Sequence, residues 1–262
     1  MKNRNLIIFM ATLIGLSLPA SADKISSMQS IILQDTQEGI KENCKEDYVE
    51  CANSISAADR QDLIEELKAL DEEEQIALMT SAVKKKKIKA IKVFLAADIL
   101  PDYNALFLAN DKIIDVFKDS IQTIDKCAIV GQAIEAGVYP SILMKSLRIL
   151  DKDEFIDQCS TVGLAENFQE ENAKVLLNFV DGNADSLKAY ITLKGDLRNI
   201  SLLSYCVIGK VQETSAEDED KVFNFLIQHN ADLNQELYPG SGLILQDLLD
   251  RYKQVGKPLE FY

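Results

Sequence analysis

Tryptophan is absent from this 262-residue chain, histidine occurs once, and proline and glycine occur only 5 and 11 times. A single histidine removes His-cluster metal sites. Any Ser-His-Asp or Cys-His catalytic arrangement would have to use His229. No G-x-S-x-G or Cys-Gly nucleophile context accompanies it, Gly209-Lys210 stands alone without a glycine-rich phosphate loop, and the acidic runs lack the glycine of a calcium loop. Neither a cofactor nor a bound metal is expected. Scarce helix breakers among abundant Leu, Ile, Ala, Lys and Glu argue for helix throughout. Runs that alternate apolar and polar residues around hairpin turns are not found, so no sheet is expected.

Positive charge is also short. Lys and Arg number 28 against 42 Asp and Glu, a net charge of −14. Such a surface repels phosphate backbones and anionic lipids, so neither nucleic acid nor a membrane surface is an expected partner. The acidic runs Asp71–Glu74 and Glu217–Asp220 read as helix starts, where the macrodipole favours anions. Lys84–Lys87 then ends the helix that begins at Asp71–Glu74, and the same dipole accounts for it better than an anion site does.

The chain opens on Lys2 and Arg4, followed by a 13-residue apolar run from Leu6 to Leu18 broken only by Thr12, Gly15 and Ser17. Pro19 ends the run and Ala20-Ser21-Ala22 follows, the small-x-small pattern cut by a signal peptidase. The run is shorter than the roughly 20 residues of a membrane-spanning helix. Residues 1–22 are therefore expected to be a secretory signal peptide, with Asp23 as the mature N-terminus. The protein is expected to be exported, periplasmic or secreted. Removing two basic and no acidic residues would leave a 240-residue chain of net charge −16. No later stretch is long and apolar enough to cross a bilayer.

Export makes disulfides available. Of Cys44, Cys51, Cys127, Cys159 and Cys206, the pair Cys44 and Cys51 is the foremost candidate, close together in a polar segment. On one straight helix their Cα atoms would stand about 10.5 Å apart, too far for a bridge. The bond therefore requires a turn near Glu46-Asp47. The alternative is five small buried hydrophobes, and the odd count leaves at least one free thiol.

Residues 23–85 read as an N-terminal helical region or cap. Helices are expected over Ile25–Ile40, after Ser56 with the stripe Leu63, Ile64, Leu67 and Leu70, and from Asp71 through Val83. From 86 onward one theme recurs: an apolar helix, a turn residue, then an apolar residue. The copies are Ile88–Ile99, Ala128–Val138, Asp153–Leu164, Ser186–Leu197 and Val222–Asn234. The punctuating residues Asp98, Gly137, Gly163, Gly195 and Asn230 are separated by 39, 26, 32 and 35 positions, a mean of 33. Gly and Asn suit a helix end that needs a left-handed residue. Shorter apolar segments between the copies complete pairs of antiparallel helices, which must stack to bury both faces.

These residues resemble the ankyrin repeat, a unit of about 33 residues with two helices and a turn. Phe225–Asn234 is similar to the family's L-L-x-x-G-A-D-V-N ending, with Asn230 in place of Gly. Ser201-Leu202-Leu203-Ser204-Tyr205-Cys206 falls where the family has T-P-L-H-x-A. The resemblance covers about 88–250 and is closest over 185–236. It implies an all-α solenoid of helical pairs over 86–262, and it makes Cys206 a small core residue. Loss of the T-P-L-H corner implies degenerate turns between repeats, and Val211–Asp220 is a long insert between two helices of one repeat.

The resemblance implies a monomeric protein-binding scaffold. It acts as a periplasmic adaptor or protector, or as an effector directed at a host. Turn residues Tyr103, Asn104, Tyr139, Arg198, Asn199 and Tyr238 are the candidate partner contacts, because Tyr and Arg are enriched at interface hot spots. The other readings are an enzyme or enzyme inhibitor acting through 23–85 or the 211–220 insert, and a structural protein that self-associates. Intact-mass measurement of the protein recovered from the cell envelope or medium should give a chain beginning at Asp23, whereas a retained Met1 would identify an uncleaved anchor.

Overall fold

The computed structural model describes residues 63–65, 67–193 and 196–259. The expected leader at 1–22, the Ile25–Ile40 helix and the Cys44–Cys51 pair lie outside the described residues. Among the described residues the chain is mostly helical, with one two-stranded antiparallel sheet. They fall into two compact units, one running to Ala82 and resuming over Lys87–Ile99, the other comprising Val83–Lys86 and the chain from Leu100. The copy of the repeat theme at Ile88–Ile99 thus groups with the N-terminal part of the chain.

In the first unit, Leu63, Ile64 and Leu67 are buried, as are Met79, Ile91 and Phe94. Helix α1 (Glu72–Lys84) opens where the Asp71 carboxylate accepts the Glu74 N–H at 2.8 Å, and three glutamates occupy its first turn. The Gln75 side-chain amide donates to the carbonyls of Leu67 and Leu70, closing the preceding turn. Helix α2 (Ile88–Ala96) ends at Asp98, which has φ 59° and is paired with Lys68 at 3.1 Å.

The second unit continues with α3 (Tyr103–Leu108), α4 (Asp111–Ser120), α5 (Thr123–Glu135), α6 (Pro140–Leu147), α7 (Lys152–Gln158), α8 (Gly163–Glu166) and α9 (Glu170–Phe179). Strands β1 (Lys188–Leu193) and β2 (Asp196–Ser201) follow, then α10 (Leu202–Val211), α11 (Glu217–Gln228) and α12 (Leu245–Val255). Helix α6 packs between α3 and α9, and α8 packs between α5 and α11. Helix α10 packs on α11, α12 and both strands.

Bonds between neighbouring layers include spans from 27 to 42 positions, and five of them cluster near one repeat length. Lys118 pairs with Asp151, and the Thr123 hydroxyl donates to Glu154 at 2.9 Å. The Asn167 amide donates to the Glu135 carbonyl, the Asn172 amide to the Val138 carbonyl, and the Tyr190 hydroxyl to the Asp157 carbonyl. These partners are 31 to 34 positions apart. Cys127 on α5 and Cys159 at the end of α7 are joined in a disulfide across 32 positions, with Cα atoms 4.9 Å apart and both residues buried. Nothing in the sequence singles out this pair, and Cys44 and Cys51 lie outside the described residues. Cys206 is free and buried, as its match to a small core residue implies.

The turns show where the expected punctuation acts. Asp98, Gly137 and Asn230 have φ near +60°, and the next N–H in each case reaches back to close the helix end. Asp181 and Glu213 end helices in the same left-handed conformation without being Gly or Asn. Gly163 acts differently. It opens α8, and a Cβ there would lie 2.7 Å from the Glu135 Cγ and 3.2 Å from the Glu135 nitrogen. Close approach of α8 to the end of α5 explains this glycine.

One further expectation is corrected. The Ser186–Leu197 copy, read as a helix ended by Gly195 where no sheet was expected, instead falls in the hairpin, with Lys188 opposite Ser201 and Leu193 opposite Asp196; Gly195 itself lies outside the described residues. Lys188-Ala189-Tyr190-Ile191-Thr192 alternates polar and apolar residues and carries Tyr, Ile and Thr, which favour strands. That period of two goes with a buried Ala189 on one face and a half-buried Tyr190 on the other. Ser201, the first residue of the stretch compared with T-P-L-H-x-A, caps the start of α10. The Ser201 hydroxyl accepts the Ser204 N–H at 3.1 Å and lies 2.9 Å from the Ser204 hydroxyl, all of it buried.

Replacing Cys127 and Cys159 together with alanine should lower the unfolding free energy by about 3–4 kcal/mol, the chain entropy released on opening a loop of this length. Urea titration of both proteins tests this, and coincident midpoints would mean that the bridge constrains nothing.

Candidate functional site

The candidate contact residues fall on two separate surfaces of the second unit. The first is the row formed by α3, α6 and α9. The Lys145 ammonium donates to the Phe107 carbonyl at 2.6 Å, and Arg148 pairs with Asp111 at 2.9 Å. Both links advance in the same direction, so α3 and α6 run parallel with an offset of 37 to 38 positions. Tyr103 opens α3 and is half-buried. Tyr139 is 78% exposed, at the point where Pro140 starts α6. Asn104 is exposed, and its amide donates to Asp102, whose other oxygen caps α3 by accepting the Ala105 N–H. Farther along the row, Phe107, Leu108 and Met144 are each about half exposed.

The second surface is the hairpin. Cross-strand pairing places Tyr190 and Asn199 together with Thr192 and Leu197 on one face, and Arg198 with Ile191 on the other. The Tyr190 hydroxyl donates to the Asp157 carbonyl at 2.7 Å and receives the Asn199 amide at 3.1 Å. Burial, and next the Asp157 charge, raises the Tyr190 phenol above its ordinary range. The Arg198 guanidinium lies 5.1 Å over the Tyr238 ring and is tethered by Asp196 at 3.1 Å. Arg198 and Tyr238, 40 positions apart in the sequence, are thus brought together, while Asn199 faces the other side of the hairpin with Tyr190. Leu197 is 71% exposed there. The sequence reading did not select Tyr190 or Leu197; their signal was the two-residue alternation of the strand.

Other chemically notable groups are engaged in structure. His229 closes α11 with its Nδ1 2.8 Å from the Phe225 carbonyl and its ring against Phe225. Burial pushes the Cys206 thiol well above its ordinary range and the Tyr205 phenol up to about 12. The Glu135 carboxyl is raised first by burial and then by Glu166. Among the described residues no group of three His, Cys, Asp or Glu side chains could hold a metal ion, and no helix is long and apolar enough to cross a membrane. The Val211–Asp220 insert is the left-handed end of α10 at Glu213 and the acidic first turn of α11, where Glu219 accepts the Ala216 N–H.

No family model, curated protein or solved structure matches this chain.

The bonds through Tyr190 define how the hairpin is held. Tyr190→Phe should lower the unfolding free energy by about 1 kcal/mol and speed hydrogen exchange of the β1 and β2 amides, whereas unchanged exchange would show that the Asp157 carbonyl does not anchor the hairpin.

Proposed function

We propose that this chain is an exported, ankyrin-like scaffold that binds another protein through its hairpin and the N-terminal ends of α3 and α6. The observation that carries the reading is the Cys127–Cys159 bond. Its 32-residue span matches one repeat, and buried structural disulfides belong to oxidising compartments. The layer-to-layer bonds at 31 to 34 positions support stacked repeats, each touching its neighbours. The hydrogen-bonded Ser201–Ser204 corner supports the ankyrin-like form of the repeat in particular.

The binding role itself rests on analogy with the fold, on the half-buried Arg198 guanidinium and Tyr238 ring 5.1 Å apart, and on the exposed Asn199 on the other face of the hairpin. Partner capture by a tagged chain starting at Asp23, from envelope extract and separately from host cytosol, tests it. The combined Arg198→Ala, Asn199→Ala and Tyr238→Ala protein should lose capture by about 100-fold, as expected when two hot-spot residues are removed. Capture that is indifferent to this variant and to the corresponding Tyr103, Asn104 and Tyr139 variant would remove both surfaces. Concentration-dependent self-association without a foreign partner would favour a structural role.

A further inference from the structure

We infer that the Cys127–Cys159 bond is a redox-sensitive latch on the hairpin, so that opening it loosens β1 and β2 ahead of the helices they pack on. The coupling is independent of the scaffold reading, and only its consequence for binding rests on that reading.

Cys159 lies in the middle of the segment that anchors the hairpin. Two residues before it, the Asp157 carbonyl accepts the Tyr190 hydroxyl at 2.7 Å and the Asn199 amide at 3.4 Å. Two residues after it, the buried Thr161 donates its N–H at 2.7 Å and its hydroxyl at 2.9 Å to the Lys188 carbonyl. Four hydrogen bonds from the strands thus converge on positions 157 and 161, with the disulfide between them.

The restraints on that segment are unevenly spread. Helix α7 has seven residues and cannot persist by itself. Its N-terminal half is tied down many times. Lys118 pairs with Asp151, Lys152 with Asp181, and Thr123 and Lys126 with Glu154, while Phe155 meets Phe179 edge-on. Beyond Phe155 such ties give way to one. Among the described residues, the disulfide is the only covalent, ionic or hydrogen-bonded link from 156–162 to α5. The backbone at Cys159 has already left the helix, with φ −94° and ψ 137°. Once the bond opens, this extended stretch moves with the hairpin instead of with α5.

A dithiol opens the bond in two exchanges. Its first thiolate attacks one sulfur and displaces the other, and its second thiol resolves the mixed disulfide. Two electrons pass to the protein, Cys127 and Cys159 each end as a thiol, and the dithiol leaves as its cyclic disulfide. Cys127 is 8% exposed against 1% for Cys159, so attack falls on Cys127 and frees the residue between the hairpin anchors. Disulfides persist in oxidising compartments and are lost in a reducing cytosol. The face that carries Tyr190 and Asn199 is therefore set outside the cytosol and loosened within one.

Hydrogen exchange of the purified full chain, before and after excess dithiothreitol, tests this, with alkylation of Cys127 and Cys159 followed by peptide mass. On reduction, the exchange rate of the β1 and β2 amides relative to those of α10 should rise at least about tenfold, the scale of one or two lost hydrogen bonds. The Cys127→Ala, Cys159→Ala double variant should show the same rise without reductant. A bond that survives excess dithiol in the folded chain would overturn the inference. So would an unchanged ratio on opening, whether because neither set of amides responds or because both quicken alike. Partner capture that persists in the reduced chain, alongside the expected rise, would leave the latch standing and remove the hairpin from the binding surface.

Discussion

Helices of four to eight residues, such as α3, α6, α7 and α8, cannot persist on their own in water, where even good sequences need about 12–15 residues. Everything in the second unit therefore depends on the bonds that tie one layer to the next. The joint between α5 and α7 concentrates three of them. Cys127 is linked covalently to Cys159, the Thr123 hydroxyl reaches Glu154, and the buried Lys126 ammonium stands 3.7 Å from the same carboxylate. The Asp151 N–H, then the Thr123 hydroxyl and Lys126, hold the Glu154 carboxyl below its ordinary range. This carboxylate stabilises the fold while it is ionised and loses that contribution as pH falls through its lowered pKa. A buried ammonium without it would be costly.

The same stacking creates the surfaces. Packing of α3, α6 and α9 buries Leu106, Leu143 and Leu176 and leaves Phe107, Met144 and Asn178 facing outward. The hairpin departs from the helical plan and is held at its base. The Lys188 carbonyl accepts the Thr161 N–H and hydroxyl, and the Leu187 carbonyl accepts the Leu202 N–H. It projects Leu197 and Asn199 outward while Ala189 and Ile200 remain in the core.

Most ion pairs lie at the surface and contribute little individually. The acidic excess is placed instead where it costs least. Glu72, Glu73 and Glu74 start α1, and Glu217 through Asp220 start α11, at helix ends that favour anions. Net negative charge then keeps a surface carrying exposed Phe107, Met144 and Leu197 in solution.

The sequence by itself determined the helical character, the helix starts at Asp71–Glu74 and Glu217–Asp220, and the left-handed ends at Asp98, Gly137 and Asn230. Each of these is a local matter of propensity, dipole or backbone sterics. Cys127 and Cys159 stand 32 positions apart, close to the mean spacing of the punctuating residues, but no local feature of the sequence marks them as partners. Tertiary structure decided the rest. Gly163 opens a helix because Glu135 of another helix comes too close for a Cβ, and residues 188–201 pair as strands because one face finds a core to cover. Arg198 meets Tyr238 only after the layers stack, since such neighbours are chosen by packing between segments far apart in sequence.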